Sequence, residues 1–531
     1  MASTTIDDLD IGRAPDGGGV HPEYQRFAPV WTKLRHVYDG TGGFLDGTYL
    51  VAHPREWLDH TTVQYAEDGK TILRQIANPN PVQPTKKLKT RRKLARYENL
   101  AQPIVEQKLA ALFRQPIERT TLTNAKTEER EQAGLHPYEA WVEDCDGYGA
   151  HLDDFMKEAD RVAMIFGHAF LVMDRPEGPV PISKAEQRFP VLRLYSPLDA
   201  PDWLLDRNGS LVALALMEAV PRTSLSQNAD VANYQRRELT PDTWQVKGGP
   251  NASAPTPHDF GRLPVVVLYA KRHGSIPVIG QSVIGDPNLH IDSYNLTSEL
   301  RELLRNQTFG ILNVPLGNGD GAQSVEQAQL MMGAGVGTDN VLFTATQATY
   351  ISPDSTNVTV YQQERETLIR TIYRMSNTPF EADSRDAEAE GSLALKREDF
   401  NQGLSSLADE CERADYALAE LFFRAHYGAG WEQALEAADL TIAYPDSFDP
   451  TPFAEQLEQA QALIAVQMPH AVMQAVKKDM LPAALPSASP AELDDLRKAI
   501  DAQEDPEVIR QREQEAALTA TMNAPPEDSD V

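Results

Sequence analysis

Cysteine is nearly absent from this chain. Cys145 and Cys411 are the only two in 531 residues, far apart, so neither a disulfide framework nor a C-x-x-C motif exists, and the usage fits a reducing compartment. Apolar runs of ~18 residues or more are missing, which predicts no membrane span. Residues 1–19 are Asp- and Gly-rich instead of basic then apolar, so no secretory leader is expected. H-E-x-x-H and G-x-S-x-G do not occur, and Gly69-Lys70-Thr71 lacks the upstream glycine of a phosphate loop because Gln64 stands there. Internal repeats with a period of twenty to fifty residues are absent. Cations are scarce: 49 Lys and Arg face 78 Asp and Glu, leaving a net charge of −29. These absences predict a chain with no catalytic step, no cofactor and no metal. Glu143, Asp144, Asp146, Asp153 and Asp154 are the one carboxylate group that can hold a hard cation, against the alternative of helix caps and solvated charge.

What is present is length and pattern. The chain can bury a substantial core in two or more compact parts, and 41% hydrophobic with 24% charged residues is ordinary for a globular protein. The richest stretch runs from Asp286 to Tyr427. Asp286 as N-cap and Pro287 at the first helical position open a helix to Asn306. Leu289, Tyr294, Leu296, Leu300, Leu303 and Leu304 form its apolar face opposite Asp292, Glu299 and Arg305. At ~1.5 Å per residue it spans roughly 30 Å.

A β-rich insert follows. Gln307 to Pro315 reads as a strand, Gly317, Gly319 and Gly321 as a tight reversal, and Val341 to Thr346 and Ala348 to Ile351 as two further strands after Gly333, Gly335 and Gly337. Neither glycine cluster has phosphate-loop spacing or a helix start behind it, so turn chemistry is the reading. A second helix opens near Val358, carries Leu368, Ile369, Ile372 and Met375, and stops at Asn377 and Pro379. An acidic segment comes next, with Glu381, Asp383, Asp386, Glu388 and Glu390, and a long third helix runs from Ser392 to Tyr427.

The N-terminal half reads as α+β. Helices are predicted over Pro22 to Tyr38, Leu88 to Phe113 with a break at Pro103, and His151 to Phe166. Strands are predicted over Ala169 to Asp174, Val191 to Tyr195 and Leu263 to Tyr269, with an Asn208-Gly209 hairpin between Trp203 to Asp206 and Leu211 to Met217. Beyond the Pro445–Pro450 linker, short amphipathic helices are expected over Phe453 to Val466, Met468 to Lys478 and Ala491 to Ala502.

This order of elements resembles the portal proteins of tailed double-stranded DNA bacteriophages. The opening adds to the resemblance through Trp31, Tyr38-Asp39, Tyr49-Leu50, Tyr97-Glu98-Asn99 and the run Leu109 to Pro116. The resemblance implies an α+β portal fold: an N-terminal wing over 1–280, a first stem helix over 281–306, a clip over 307–357, a second stem helix over 358–376 and a tunnel loop over 377–391. A long wing helix and following segment over 392–444, a helical crown over 445–510 and a disordered tail over 511–531 complete it.

It further implies a ring of twelve identical chains at one capsid vertex of the virion, assembled in the host cytoplasm, through which double-stranded DNA passes non-specifically during packaging and ejection. Implied partners are the terminase large subunit, the head–tail adaptor, and the major capsid and scaffolding proteins, with no membrane. On that scheme Glu381, Asp383, Asp386, Glu388 and Glu390 face the DNA, and Leu300, Leu303, Leu304, Leu368, Ile369 and Ile372 pack the stem.

The charge balance is compatible with a channel that does not grip. Lys and Arg contacts to phosphate act as brakes, whereas carboxylates repel the duplex within a Debye length of ~10 Å. The alternative for the acidic segment is a solvated surface loop. One basic stretch stands apart, Lys86, Lys87, Lys89, Arg91, Arg92, Lys93 and Arg96, with little aromatic interleaving and so no base-stacking character. It is read as a contact to an acidic neighbour, a contact to encapsidated DNA, or a solvated helix face. A minor capsid or scaffold-like structural protein without a channel, and a hydrolase with a scattered acidic site, are the other function classes.

Overall fold

The computed structural model describes residues 19–52, 62–65, 72–76, 86–122, 136–175, 189–220, 234–247, 252–307, 311–315, 341–344, 349–351, 356–379, 390–445, 448, 470–484, 496–497 and 499–500. The chain divides into two compact units, Met1–Phe448 and Asp449–Val531. The larger unit mixes helices with sheets that are antiparallel except for one strand pair, an α+β architecture.

Its core is built on a three-stranded sheet, Val265–Tyr269, His168–Asp174 and Val191–Tyr195, with His168–Asp174 central. Ala169 to Met173 is a continuous apolar run, and the strand is buried from His168 to Met173, as a strand covered on both faces must be. The helix Leu152–Phe166 and the long helix Glu390–Tyr427 both pack on this sheet. Leu152–Phe166 begins where the His151 ring accepts the Asp153 N–H at 3.1 Å, with Asp153 and Asp154 in the first turn favouring the dipole. It ends at Gly167, φ 99°, a left-handed position that favours glycine. Gly167 also meets Gly280 backbone to backbone: a Cβ on Gly280 would lie 1.9 Å from the Gly167 carbonyl oxygen, so no side chain fits.

Around the sheet, helix Pro22–Asp39 buries Tyr24, Ala28, Trp31, Leu34 and Val37 at three and four spacing, with Pro22 in its first turn and Gly40 closing it. Trp141, Tyr138, Phe422 and Phe423 fill the core beside the long helix, Trp141 and Phe422 with ring centroids 5.0 Å apart. A second sheet is a five-stranded meander in the order Thr256–Pro257, Thr243–Lys247, Tyr234–Leu239, Leu211–Ala219, Asp202–Leu205. The expected Asn208-Gly209 turn joins its last two strands, with the Asp206 carboxylate accepting the Asn208 and Ser210 N–H groups at 2.8 Å.

The helix expected over Leu88 to Phe113 is two helices, Lys86–Leu94 and Ala101–Leu112. The break falls before Pro103, because the Asn99 side chain accepts the Ala101 and Gln102 N–H groups at 3.2 and 3.0 Å and starts a new helix. Pro103 then sits in the first turn, where its missing N–H costs nothing.

The insert forms its own three-stranded sheet. Ile311–Pro315 is central, antiparallel to Thr349–Ile351 and parallel to Val341–Thr344. A parallel pair cannot be closed by a tight turn, so the expected reversal does not directly join Ile311–Pro315 to Val341–Thr344 as a hairpin; Gly317, Gly319 and Gly321 themselves lie outside the described residues. In the smaller unit, helix His470–Ala484 continues past the expected end at Lys478, and the Gln474 amide donates to the Ile500 carbonyl at 3.0 Å.

Candidate functional site

Two helices flank the insert, Pro287–Gln307 and Thr356–Met375, and they pack on each other. Asp286 accepts the Asn288 N–H at 2.9 Å and fixes the start of the first. The helices run antiparallel. Tyr361, early in the second, donates to Glu299, late in the first, at 3.3 Å, whereas Leu289, early in the first, packs against Ile369 and Ile372, late in the second.

Ile369 and Ile372 are buried, and their core partners are Leu100 and Ile104 of the helix Ala101–Leu112 and its cap. Leu368 and Tyr373 flank this cluster. Leu300 is buried, Leu303 half-buried, and Leu304 stays 40% exposed. Val360 is 57% exposed, and Met375 is also exposed. The pair therefore buries Leu300, Ile369 and Ile372 while Val360 and Met375 stay exposed.

The pair is also pinned polar group by polar group. The Asn295 amide donates to the Tyr49 carbonyl at 2.9 Å and accepts the Val51 N–H at 2.8 Å. Tyr294 donates to the Phe44 carbonyl at 3.2 Å within a cluster of Phe44, Tyr97 and Tyr294 rings. Arg365 bonds Glu98, and Lys33 donates to Asn288 at 2.9 Å.

The basic stretch divides by exposure. Arg91 is buried, donates to the Val51 carbonyl and lies 4.0 Å from Glu299 of the first helix. Arg92 is half-buried against Gly47. Lys89, Lys93 and Arg96 are exposed, Arg96 donating to the Ala95 carbonyl at 2.9 Å. Lys86 and Lys87 lie on the same helix. Part of the stretch is thus a structural anchor, which a reading of uniform solvated or ligand-facing charge does not anticipate.

Glu381, Asp383, Asp386 and Glu388 lie outside the described residues, and Glu390 is the first residue of the long helix. Of the carboxylates weighed for a cation, Asp144, Asp146 and Asp153 are otherwise engaged. Asp144 accepts the Gly149 N–H, and Asp146 accepts those of Tyr148 and Ala150. Asp153 pairs with Arg119. Among the described residues no group of three or more His, Cys, Asp or Glu is arranged to hold a metal, and none of the helices among them is long and apolar enough to cross a membrane.

Buried ionisable groups sit in the core of the larger unit. Arg119, on the strand Glu118–Thr120 that pairs with Thr441–Ala443, bonds Asp415 of the long helix at 2.7 Å and Asp153. Tyr444 donates to the same Asp415 oxygen at 3.3 Å. Burial raises the Asp415 carboxyl and the Arg119 charge opposes it, while Asp415 and its neighbours keep the buried Arg119 charged. Asp160, fully buried beside the Cys411 thiol, is raised by burial to about 7. Burial lowers His168 to about 3, and its Nδ1 accepts the Gly280 N–H at 3.3 Å. Asp160, His168 and Asp415 are fully enclosed by the core.

No family model and no curated protein matches the chain. Among solved structures it is similar to a chain in the neck of an empty gene transfer agent particle, with 13% identity, a TM-score of 0.36, and coverage of 75% of this chain and 88% of that one. It is also similar to a chain in the virion of a native gene transfer agent particle, with 12% identity, a TM-score of 0.35, and coverage of 70% and 86%. Likeness of this degree assigns neither a shared fold nor an activity.

Proposed function

We propose that this chain is a portal-type subunit: identical copies, with no enzymatic step of their own, close into a ring whose channel passes double-stranded DNA at one vertex of a phage-like particle. The single observation that carries the reading is the antiparallel pair Pro287–Gln307 and Thr356–Met375, joined through a small sheet and followed by the long helix Glu390–Tyr427. A helical pair that buries Ile369 and Ile372 against its own chain and leaves Leu304 and Val360 bare is suited to packing beside copies of itself around an axis.

On this reading the small sheet is the rim that docks the terminase large subunit and later a head–tail adaptor, and the body of the chain contacts major capsid and scaffolding proteins. The acidic segment ending at Glu390 lines the passage. A net charge of −29 favours sliding over gripping, since few phosphates are neutralised. Motor chemistry belongs to another protein.

Sedimentation velocity and negative-stain imaging of the full chain, alone and with scaffolding protein, test the proposal. Annular particles with a central hole are expected. Assemblies without a hole, or a single-chain mass under every condition, overturn it and favour a minor capsid or scaffold-like role.

A further inference from the structure

The helix Lys86–Leu94 presents two faces. Leu88, Arg91 and Ala95 turn inward and are buried. Lys89 and Lys93, four residues apart on the helix, and Arg96 just past its end form an exposed cationic stripe. Beside it stand exposed apolar side chains: Leu45 at 76%, Val51 at 69% and Leu94 at 44% exposure. The two stretches adjoin, since Arg91 donates to the Val51 carbonyl and a Cβ on Gly47 would lie 2.6 Å from the Arg92 Cγ. Asn295 and Tyr294 bolt the same shelf to the helix Pro287–Gln307.

We propose that this shelf is a contact surface for a second copy of the chain, receiving that copy's exposed carboxylates on the stripe and covering Leu45, Val51 and Leu94. The proposal rests on the ring reading above. Interleaved apolar and cationic groups are protein-interface composition, whereas a phosphate-backbone face gains nothing from bare Leu and Val. Charge complementarity points to the second copy: chains of net charge −29 repel one another, and contact requires a local surface of opposite sign. The shelf cannot meet itself, because that would set cations against cations. The contact therefore joins two different patches of the chain, as a contact that closes a ring does.

The test uses the full chain carrying Lys89→Glu, Lys93→Glu and Arg96→Glu together, and in parallel the milder Lys89→Gln, Lys93→Gln, Arg96→Gln. Thermal unfolding checks that each folds, and assembly is followed by sedimentation velocity from low to high salt. Wild-type assembly is expected to weaken with salt, and the Glu variant is expected to need at least about tenfold more protein to assemble, a change equivalent to ~1.4 kcal/mol. The Gln variant should fall between.

A Glu variant that assembles like wild type overturns this proposal while leaving the ring intact. A wild-type chain that stays single overturns both. A Glu variant that assembles normally but loses binding to a short DNA duplex overturns the proposal in favour of nucleic acid as the occupant.

Discussion

The sheet core and the helical pair are stabilised in opposite ways. Around the His168–Asp174 strand, Trp31, Trp141, Phe170, Phe422 and Phe423 are almost wholly enclosed within one chain, and even the charges are internally matched, as with Arg119, Asp415 and Asp153. The pair Pro287–Gln307 and Thr356–Met375 has a cluster of Leu100, Ile104, Ile369 and Ile372, with polar pins to the shelf and apolar side chains left bare. At ~1.5–3 kcal/mol per buried aliphatic side chain, that cluster is a modest anchor for two helices. A region finished by its own chain is a scaffold; one left half-finished awaits something else.

The contrast is sharpest when the internal matching of the sheet core is broken. Arg119→Ala leaves the Asp415 carboxyl buried without its partner, and a loss of ~3–5 kcal/mol in urea unfolding is expected. A change below ~1 kcal/mol would mean the core does not depend on that match. Ile372→Ala attacks the pair instead. A loss of ~2–4 kcal/mol is expected, with hydrogen exchange accelerating in 287–307 and 356–375 while the His168–Asp174 strand stays protected. Equal acceleration in both regions would make them one cooperative unit.

Acidity separates the regions next. In the fold Asp160 keeps its proton up to about 7, whereas its ordinary value is 3.8, so between these values the folded state holds a proton that the unfolded chain releases. Its contribution is full below 3.8 and is lost as pH rises towards 7. His168 works in the other direction: lowered to about 3 from 6.5, it costs stability as pH falls through that window. Asp160→Asn should therefore raise the unfolding midpoint at pH 8 by the equivalent of about 1–3 kcal/mol and leave it nearly unchanged at pH 4. A uniform shift at both values would assign the effect to packing. The smallest expected effect is Val360→Ser, within ~0.5 kcal/mol for the single chain but weakening assembly measured by sedimentation. Unchanged assembly would remove Val360 from any contact between copies.

Periodicity made the long helices legible. Asp286 and Pro287 announced the first, and the structure begins it at Pro287. The central strand was equally open to reading, because Ala169 to Met173 is apolar without interruption. The strand Tyr234–Leu239 was hidden because Arg236 and Arg237 occupy buried positions, paired with Asp202 at 2.9 Å and Asp174 at 2.8 Å. No hydropathy pattern reveals a strand whose inward side chains are arginines. Glu118–Thr120 was concealed for another reason: its partner, Thr441–Ala443, is more than three hundred residues away in sequence, and three residues carry no period. The inward role of Arg91 likewise depends on Glu299 and Val51, which only folding brings near. Asn295 and Tyr294 looked like ordinary helix residues, yet they fasten the pair to the shelf.

The parallel pairing of Ile311–Pro315 with Val341–Thr344 sets an order of events during synthesis. Two adjacent antiparallel strands can zip locally as they leave the ribosome, but these must wait for a long intervening stretch to double back, and Thr349–Ile351 emerges later still. Loop closure of that kind is slow relative to helix growth. The small sheet therefore coheres after the first helix has formed, and the core of the larger unit closes later still, because Glu390–Tyr427 and Thr441–Ala443 follow it along the chain.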